Sequence, residues 1–171
     1  MMAWRIAWFK IYYPLEYYAA YLTTRITSFD IDVALGSKHQ VAKKLKELEI
    51  KQRNKHTEKI SAKEEELIPT LEIINELLAR NLKIHNIDLY KSESNDWVID
   101  YQEKALIPPF IVVDGLGETV AKKIVEARKQ RRFYSIDDIQ RRCDVNKTLV
   151  EKLKALGVFL DLDETDEIKL F

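Results

Sequence analysis

Apolar residues recur every three or four positions over most of the chain, which predicts helices. The strongest stripe covers residues 67–78 and follows Ser61 and Glu64, whose spacing is that of a capping box. Pro69 lies inside this stripe and predicts a kink, or a helix start close by, because proline lacks the amide that an interior helical residue donates. The same spacing predicts another amphipathic helix over residues 41–48.

Residues 1–25 contain eight aromatic side chains and predict two helices, the second starting at Pro14. One face combines Trp4, Trp8, Ile11 and Tyr12, and the next combines Leu15, Tyr18, Ala19 and Leu22. The remaining sides are also largely apolar, which is typical of helices buried against other protein. Charged residues and a proline interrupt each run well before the ~20 apolar residues that a membrane span needs. No signal peptide is evident, and a cytoplasmic protein is expected.

Between residues 87 and 110 the apolar spacing changes from helical to alternating. Short runs at 87–90 and 97–99, separated by the polar residues 92–96, predict a small β-hairpin. Pro108 and Pro109 end this extended part. The fold class predicted is therefore mostly α with a small β-hairpin.

Gly115 and Gly117 directly precede another helical stripe and predict a tight turn that leads into a helix. The first amides of a helix have no partner within it and lie at its positive end, where a phosphate is favoured. The backbone amides predicted to bind phosphate are those of Gly115, Leu116, Gly117, Glu118 and Thr119, with the Thr119 hydroxyl as a further donor. The alternative is that this segment is only a turn.

Positive charge is concentrated after this turn. The whole chain balances 28 basic against 28 acidic residues, whereas residues 118–154 hold eleven lysines and arginines against six acids. Such a basic block in a neutral protein indicates a polyanion as partner. The side chains predicted to contact the phosphates of such a partner are Lys122, Lys123, Arg128, Arg131 and Arg132, with Arg141, Arg142 and Lys147 near a second turn. For Lys122 and Lys123 a solvated helix face is an equally good interpretation.

The second turn belongs to a second helix–turn–helix unit. Ser135 is placed to cap a short helix that ends near Arg142, residues 144–147 form a tight connection, and Gly157 stops a last helix. Two successive helix–turn–helix segments are therefore expected, over about residues 105–130 and 135–157. Asn146 is placed to cap the last helix.

Metal chemistry is not expected. A single cysteine, Cys143, excludes an internal disulfide, and His39, His56 and His85 are too scattered to form a zinc site with it.

Several segments, in order, resemble one family. PPFIVVDGLGETVAKKIVEARKQRRF resembles the helix-hairpin-helix motif near the C-terminus of bacterial replicative DNA polymerase III α subunits, and DVNKTLVEKLKALGVF resembles the degenerate second copy. RIAWFKIYYPLEYYAAYL resembles the end of the fingers region, and LIPTLEIINELLARN and IDLYKSESNDWVID resemble the segment between. The arrangement, ending in EIKLF without an OB-like domain after the tandem motif, favours the Gram-positive PolC type. Asp114 stands where the family usually has a proline.

The resemblance implies a domain organisation. Residues 1–27 would be the C-terminal end of the fingers, 28–63 a charged helical connector, and 64–160 the duplex-binding domain. Residues 161–171 would be an acidic tail whose Ile168, Leu170 and Phe171 resemble the peptide that binds the bacterial beta sliding clamp. Glu167 and Lys169 stand where that motif usually has glutamine and a small polar residue.

The resemblance also implies a function. The chain would bind double-stranded DNA without sequence preference and tether the clamp, as part of a DNA-directed DNA polymerase. The catalytic carboxylates and their Mg²⁺ belong to the palm of the parent chain, so no catalytic residue and no cofactor is expected here. The expected partners are double-stranded DNA, the beta sliding clamp and the remainder of the polymerase chain, with no membrane.

Two other interpretations are open. One is a stand-alone helix-hairpin-helix DNA-binding module. The other is a DNA glycosylase, whose catalytic aspartate would lie near Asp137 or Asp138. Because these residues follow Ser135 at a helix start, their carboxylates are better explained as partners of the helix dipole.

Overall fold

The computed structural model describes residues 2–26, 28–54 and 59–165, without the side chain of Met2. The chain divides into two compact units. The first comprises the described residues of 2–85 and 97–106, and the second those of 86–96 and 107–165. In the part of the chain so described, no helix is long and apolar enough to cross a membrane. The fold is mostly helical with a small sheet, which confirms the predicted fold class.

Five helices of the first unit precede its strands. They are α1 (Met2–Tyr12), α2 (Pro14–Arg25), α3 (Ile31–Ala34), α4 (Lys38–Arg53) and α5 (Ala62–Ala79). The pair α4 and α5 forms the core around Val41, Leu48, Leu71 and Ile74. Both helices begin with a complete capping box, which satisfies amides that the first helical turn leaves without partners.

The predicted capping box of α5 is confirmed: the Ser61 hydroxyl accepts from the Glu64 amide, and the Glu64 carboxylate accepts from the Ser61 amide. The bond from the Ser61 amide to the carboxylate, followed by the bond from Lys51, lowers the pKa of Glu64 to about 2. The helix continues through Pro69, so the alternative of a start near that residue is wrong.

The two N-terminal helices differ in burial. On α2 the predicted stripe is confirmed, because Leu15, Tyr18, Ala19 and Leu22 are all buried. On α1 the large apolar side chains are exposed; Trp4 keeps 78% and Ile11 64% of its surface accessible. The first helix therefore has an unpaired apolar surface of the kind that its sequence predicts.

One of the two predicted strands is confirmed, because the run at 97–99 overlaps an observed strand, whereas the run at 87–90 does not form one. The observed strands are β1 (Lys83–Ile84), β2 (Val98–Asp100) and β3 (Ala105–Ile107), in the order β1-β3-β2, with β1 parallel to β3. Residues 87–90, expected to be a strand, instead form a turn around Asp88. Its carboxylate accepts from the amides of Tyr90 and Lys91, and its own amide donates to the Ser92 hydroxyl. These local bonds take up amides that a strand ladder would need.

The second unit carries the two predicted helix–turn–helix segments. A 3₁₀ turn (Phe110–Val112) leads to α6 (Glu118–Gln130), and α7 (Ile136–Cys143) leads to α8 (Lys147–Ala155). Each of these elements contributes a fully buried side chain to the core of the second unit: Phe110, Ile124, Ile139 and Leu153.

The start of the acidic C-terminal segment is tied to α7. The carbonyls of Asp163 and Glu164 accept from the amides of Ile136 and Asp137, at 2.9 and 3.2 Å. The backbone of this segment thus occupies amides at the positive end of α7. Ile168, Leu170 and Phe171, predicted to bind the clamp, lie outside the described residues.

Candidate nucleic-acid interface

The first turn (residues 113–117) has the geometry of a type II turn. The Leu116 amide donates to the Val113 carbonyl at 2.9 Å, and Gly115 has a φ of +88°. Asp114, before it, does not have a positive φ. A type II turn needs a positive φ at its third residue and favours proline at its second, which Asp114 occupies. Gly115 is therefore required by the backbone, whereas Gly117 has an ordinary φ of −74°.

The N-terminus of α6 is open. Gly117 is its N-cap and supplies no side-chain hydrogen bond, and a Cβ placed on Gly117 would meet nothing within 4 Å. Within the described part of the chain, the first-turn amides of Glu118, Thr119 and Val120 have no acceptor. Leu116, whose amide was also predicted to bind phosphate, is buried and uses that amide within the turn.

The second turn (residues 144–146) is closed by comparison. Asp144 adopts a left-handed conformation at φ +56°, which aspartate tolerates better than most residues. The Asn146 side chain accepts from the Leu149 amide at 2.8 Å, so its predicted capping role is confirmed. The start of α8 is thus capped by its own chain, and the two turns are not equivalent.

Acidic side chains neutralise three lysines beside these turns. Lys122 pairs with Glu118 at 2.7 Å on the surface of α6. Hydrogen bonds from Lys122 and then Asn95 lower the pKa of Glu118, and Glu118 raises the pKa of Lys122. The positive charge available at the turns is therefore smaller than the sequence count indicates.

The other two pairs connect the two helix–turn–helix segments of the second unit. Lys123 of α6 pairs with the carboxylate of Asp144, which raises the pKa of the lysine. Lys152 of α8 donates to the carbonyl of Asp114 at 2.8 Å, and its ammonium lies 3.6 Å from the Asp114 carboxylate. Sequence analysis counted Lys152 in the basic block but did not single it out. The sequence signal for these pairs is a lysine at a similar distance after each turn aspartate: Lys123 follows Asp114 by nine residues, and Lys152 follows Asp144 by eight.

Arg128 serves the fold of the second unit. Its side chain is 7% exposed, pairs with Glu93 at 2.8 Å, and donates to the carbonyls of Leu89 and Ser92. Each of these acceptors lies more than thirty residues earlier in the chain. Arg128 is therefore not available to a ligand in this arrangement, and we leave it out of the interface proposed below.

Three further predicted arginines surround one buried carboxylate. Asp138 is fully buried, with Arg131 at 2.9 Å, Arg142 at 3.2 Å and Arg141 at 3.6 Å. Burial alone would raise the pKa of Asp138, but the Tyr134 amide and these guanidinium groups outweigh it and lower the pKa. Such an ionised, fully paired carboxylate is structural, as its position at the start of α7 predicts.

Exposure separates these three arginines. Arg142 is 14% exposed and also donates to the carbonyls of Ala127 and Arg131 at the end of α6. The side chains of Arg131 and Arg141 are 44% and 66% exposed, so each keeps donors at the surface. Arg142 thus stabilises the link between α6 and α7, whereas the other two remain accessible.

Arg132 and Lys147 are the two remaining basic side chains of the predicted set. Both are exposed, and neither has an acidic partner among the residues that the structure describes. Arg132 lies over the Tyr90 ring at 5.0 Å, and Lys147 is the first residue of α8. Lys129, near the end of α6, is exposed in the same way. In the described ranges, no group of acidic, histidine or cysteine side chains is arranged to hold a metal ion.

Comparison with known proteins agrees with the motifs. Residues 81–167 match the family described as helix-hairpin-helix motif. The chain is 47% identical to DNA polymerase III PolC-type of Mycoplasmopsis pulmonis, over 99% of this chain and 12% of that protein. It is 44% identical to the protein of the same name from Ureaplasma parvum, over 100% of this chain and 12% of that one. The Streptococcus suis protein of this name is 40% identical, over 100% of this chain and 11% of its own length. The resemblance to PolC-type DNA polymerase III is thereby confirmed, and the chain spans about an eighth of the length of these relatives.

Proposed function

The chain belongs to the helix-hairpin-helix family, and from this premise we propose that it binds the phosphate backbone of double-stranded DNA as part of a PolC-type replicative DNA polymerase. The observation that carries the proposal is the open start of α6, where Gly117 leaves space and the amides of Glu118, Thr119 and Val120 have no acceptor among the residues that the structure describes. Such an end binds a phosphate oxygen through its amides and its dipole. The relatives match the chain along its whole length and not only in the motif, which favours a polymerase context over a stand-alone module.

The proposed interface consists of this amide site and the exposed basic side chains around it. From the predicted set we retain Gly115, Gly117, Glu118 and Thr119 for their backbone, and Arg131, Arg132, Arg141 and Lys147 for their charge. Lys122 and Lys123 become available if a phosphate displaces their acidic partners. Backbone amides and charged side chains of this kind contact phosphates, which carry no sequence information, so binding is expected to be independent of sequence.

Polymerisation belongs to the longer parent protein in this proposal. The relatives are about eight times the length of this chain, and the chemistry, with its Mg²⁺, is assigned to a palm outside it. The chain alone is expected to bind DNA and to add no nucleotides. The exposed apolar side chains of α1, such as Trp4 and Ile11, support an additional contact with the remainder of the polymerase.

A salt titration tests the proposed binding. With about four phosphates neutralised, log affinity should fall with log salt at a slope near −3.6, so that raising salt from 50 to 200 mM weakens binding roughly a hundredfold. Two duplexes of unrelated sequence should give the same curve. A flat titration, or a strong preference for one duplex, would overturn the proposal.

A matched pair of lysines on α8 locates the interface. Lys147→Met should weaken binding and reduce the slope by about one, because it removes one phosphate contact. Lys154→Met removes a lysine of the same helix that is already paired with Glu164 at 2.7 Å, and should leave the affinity unchanged. Equal effects of both substitutions would place the interface elsewhere.

We also propose that the C-terminal residues Ile168, Leu170 and Phe171 bind the bacterial beta sliding clamp. Two large apolar residues at the end of a polar, acidic stretch are typical of a short docking motif. Burying Leu170 and Phe171 would contribute on the order of 3–6 kcal/mol, largely offset by ordering of the tail, so the isolated peptide should bind weakly.

The test is a clamp titration with a peptide of the last ten residues, and with the same peptide carrying Leu170→Ala and Phe171→Ala. Binding by the first peptide alone would support the proposal. Equal binding by both, or by neither, would refute it.

A further inference from the structure

Each of the two turns is contacted by a lysine from the other helix–turn–helix segment. Lys152 of α8 contacts Asp114 in the first turn, and Lys123 of α6 contacts Asp144 in the second. In both cases the aspartate is exposed, at 78% for Asp114 and 69% for Asp144, and the lysine is about 40% exposed. The arrangement is reciprocal, and it joins residues that are far apart in the sequence: Asp114 and Lys152 have a separation of 38.

We propose that Lys152 is a positioning residue for the phosphate site at the start of α6, acting through Asp114 and not through a contact of its own with DNA. The inference rests on the proposed DNA binding and adds to it a residue from the second helix–turn–helix unit. Lys152 would have two effects, on the shape of the turn and on its charge.

The effect on shape follows from the type II turn. Proline at the second position of such a turn fixes its φ, whereas Asp114 leaves that position free to rotate. The bond from Lys152 to the Asp114 carbonyl restrains the same peptide from outside. The ammonium also lies 3.8 Å from where a Cβ on Gly115 would be, so it sits directly against the turn.

The effect on charge follows from the position of Asp114. An exposed carboxylate three residues before the N-cap of α6 would repel a phosphate there. The Lys152 ammonium, 3.6 Å from that carboxylate, offsets the repulsion. Since both side chains are substantially exposed, the pair should contribute little to the stability of the fold, and its consequence should appear in DNA affinity.

A double-mutant cycle on the full chain tests the inference. Lys152→Met alone should weaken binding to a duplex about tenfold, because the Asp114 carboxylate then loses this ammonium and the turn loses the bond to its carbonyl. In an Asp114→Pro background the same substitution should cost less than about twofold, because proline fixes the turn and removes the charge. Val113 already has the extended conformation, φ −73° and ψ 118°, that a following proline requires.

Three comparisons complete the experiment. Lys154→Met, on the same helix but away from the turn, should change nothing. Asp114→Asn gives a second background that removes only the charge, and there the cost of Lys152→Met should also be reduced. Amide hydrogen exchange at Leu116, the donor within the turn, should be about tenfold faster in Lys152→Met and return toward the parent rate with Asp114→Pro.

The possible failures are distinguishable. Equal losses in all backgrounds would overturn the inference, because Lys152 would then act independently of Asp114. Unchanged exchange at Leu116 would overturn the effect on turn shape. If the unsubstituted chain bound no duplex at all, the proposed function itself would fail, and the exchange measurement would still decide whether Lys152 holds the turn.

Discussion

Replacing Gly115 and Gly117 separately by alanine should weaken duplex binding in both cases, but for different physical reasons. At Gly115, a Cβ would meet only Leu149 and Lys152 at 3.8 Å, which is ordinary contact, so the cost is conformational. A positive φ costs a non-glycine residue about 1–2 kcal/mol, and the lower entropy of the unfolded chain offsets about 0.4–1 kcal/mol of this. Gly115→Ala should therefore destabilise the second unit by about 1 kcal/mol.

At Gly117 the backbone is relaxed, with φ −74° and empty space around the Cβ position. Alanine there should cost only about 0.5–1 kcal/mol, as a poorer N-cap than glycine. The methyl group would, however, occupy the space through which a phosphate reaches the amides of α6. Losing a charge-assisted hydrogen bond is worth about 1.5–3 kcal/mol, so Gly117→Ala should weaken duplex binding about 10- to 100-fold.

The assay combines urea denaturation with duplex titration at 50 mM salt for each single variant. Gly115→Ala should lower both stability and affinity, whereas Gly117→Ala should lower affinity in a chain that remains folded. A Gly117→Ala variant that binds as tightly as the parent chain would refute the assignment of the phosphate to the start of α6. A Gly115→Ala variant of unchanged stability would refute the requirement for glycine at that position.

A deletion and a substitution test parts of the chain that lie away from the turns. Deleting residues 1–13 removes the exposed α1 and keeps the buried face of α2, so it should reduce self-association in sedimentation velocity and preserve DNA affinity. Unchanged self-association would show that α1 is not the surface through which copies of the chain associate. The pKa of Asp138 is lowered in the folded chain, so its ionised form stabilises the fold at any pH above about 4, the pKa of an aspartate in the unfolded chain. This stabilisation is lost as the pH falls through the pKa of the folded chain. Asp138→Asn should cost about 1–3 kcal/mol at pH 7 and flatten the acid limb of urea denaturation, whereas Asp137→Asn, an exposed neighbour, should change little; similar effects of both would contradict the role given to the buried cluster.

Local features could be predicted because their causes lie within a few residues. The capping box of Ser61 and Glu64, the cap formed by Ser135 and the buried stripe of α2 each depend on spacing along one helix. Alternation located only the strand at Val98–Asp100 and not the other two. The segment after Ile87 alternates like a strand, but Asp88 and Ser92 close a turn on its backbone, while the parallel partner of Lys83 is Ala105, more than twenty residues later.

The sequence by itself determined the helices, the glycine turn and the family, because periodicity, caps and motif spacing are properties of consecutive residues. Tertiary structure alone decided which polar groups remain available. Arg128 and Lys147 look alike in the sequence, yet one is bound to carbonyls from a distant segment and the other is exposed. Arg141 and Arg142 are neighbours in the sequence, yet Arg142 is bound to the carbonyls of Ala127 and Arg131, whereas the side chain of Arg141 is exposed. Charge and hydrogen-bonding capacity are written in the residue type, but whether they are already satisfied depends on neighbours that only the folded chain brings together.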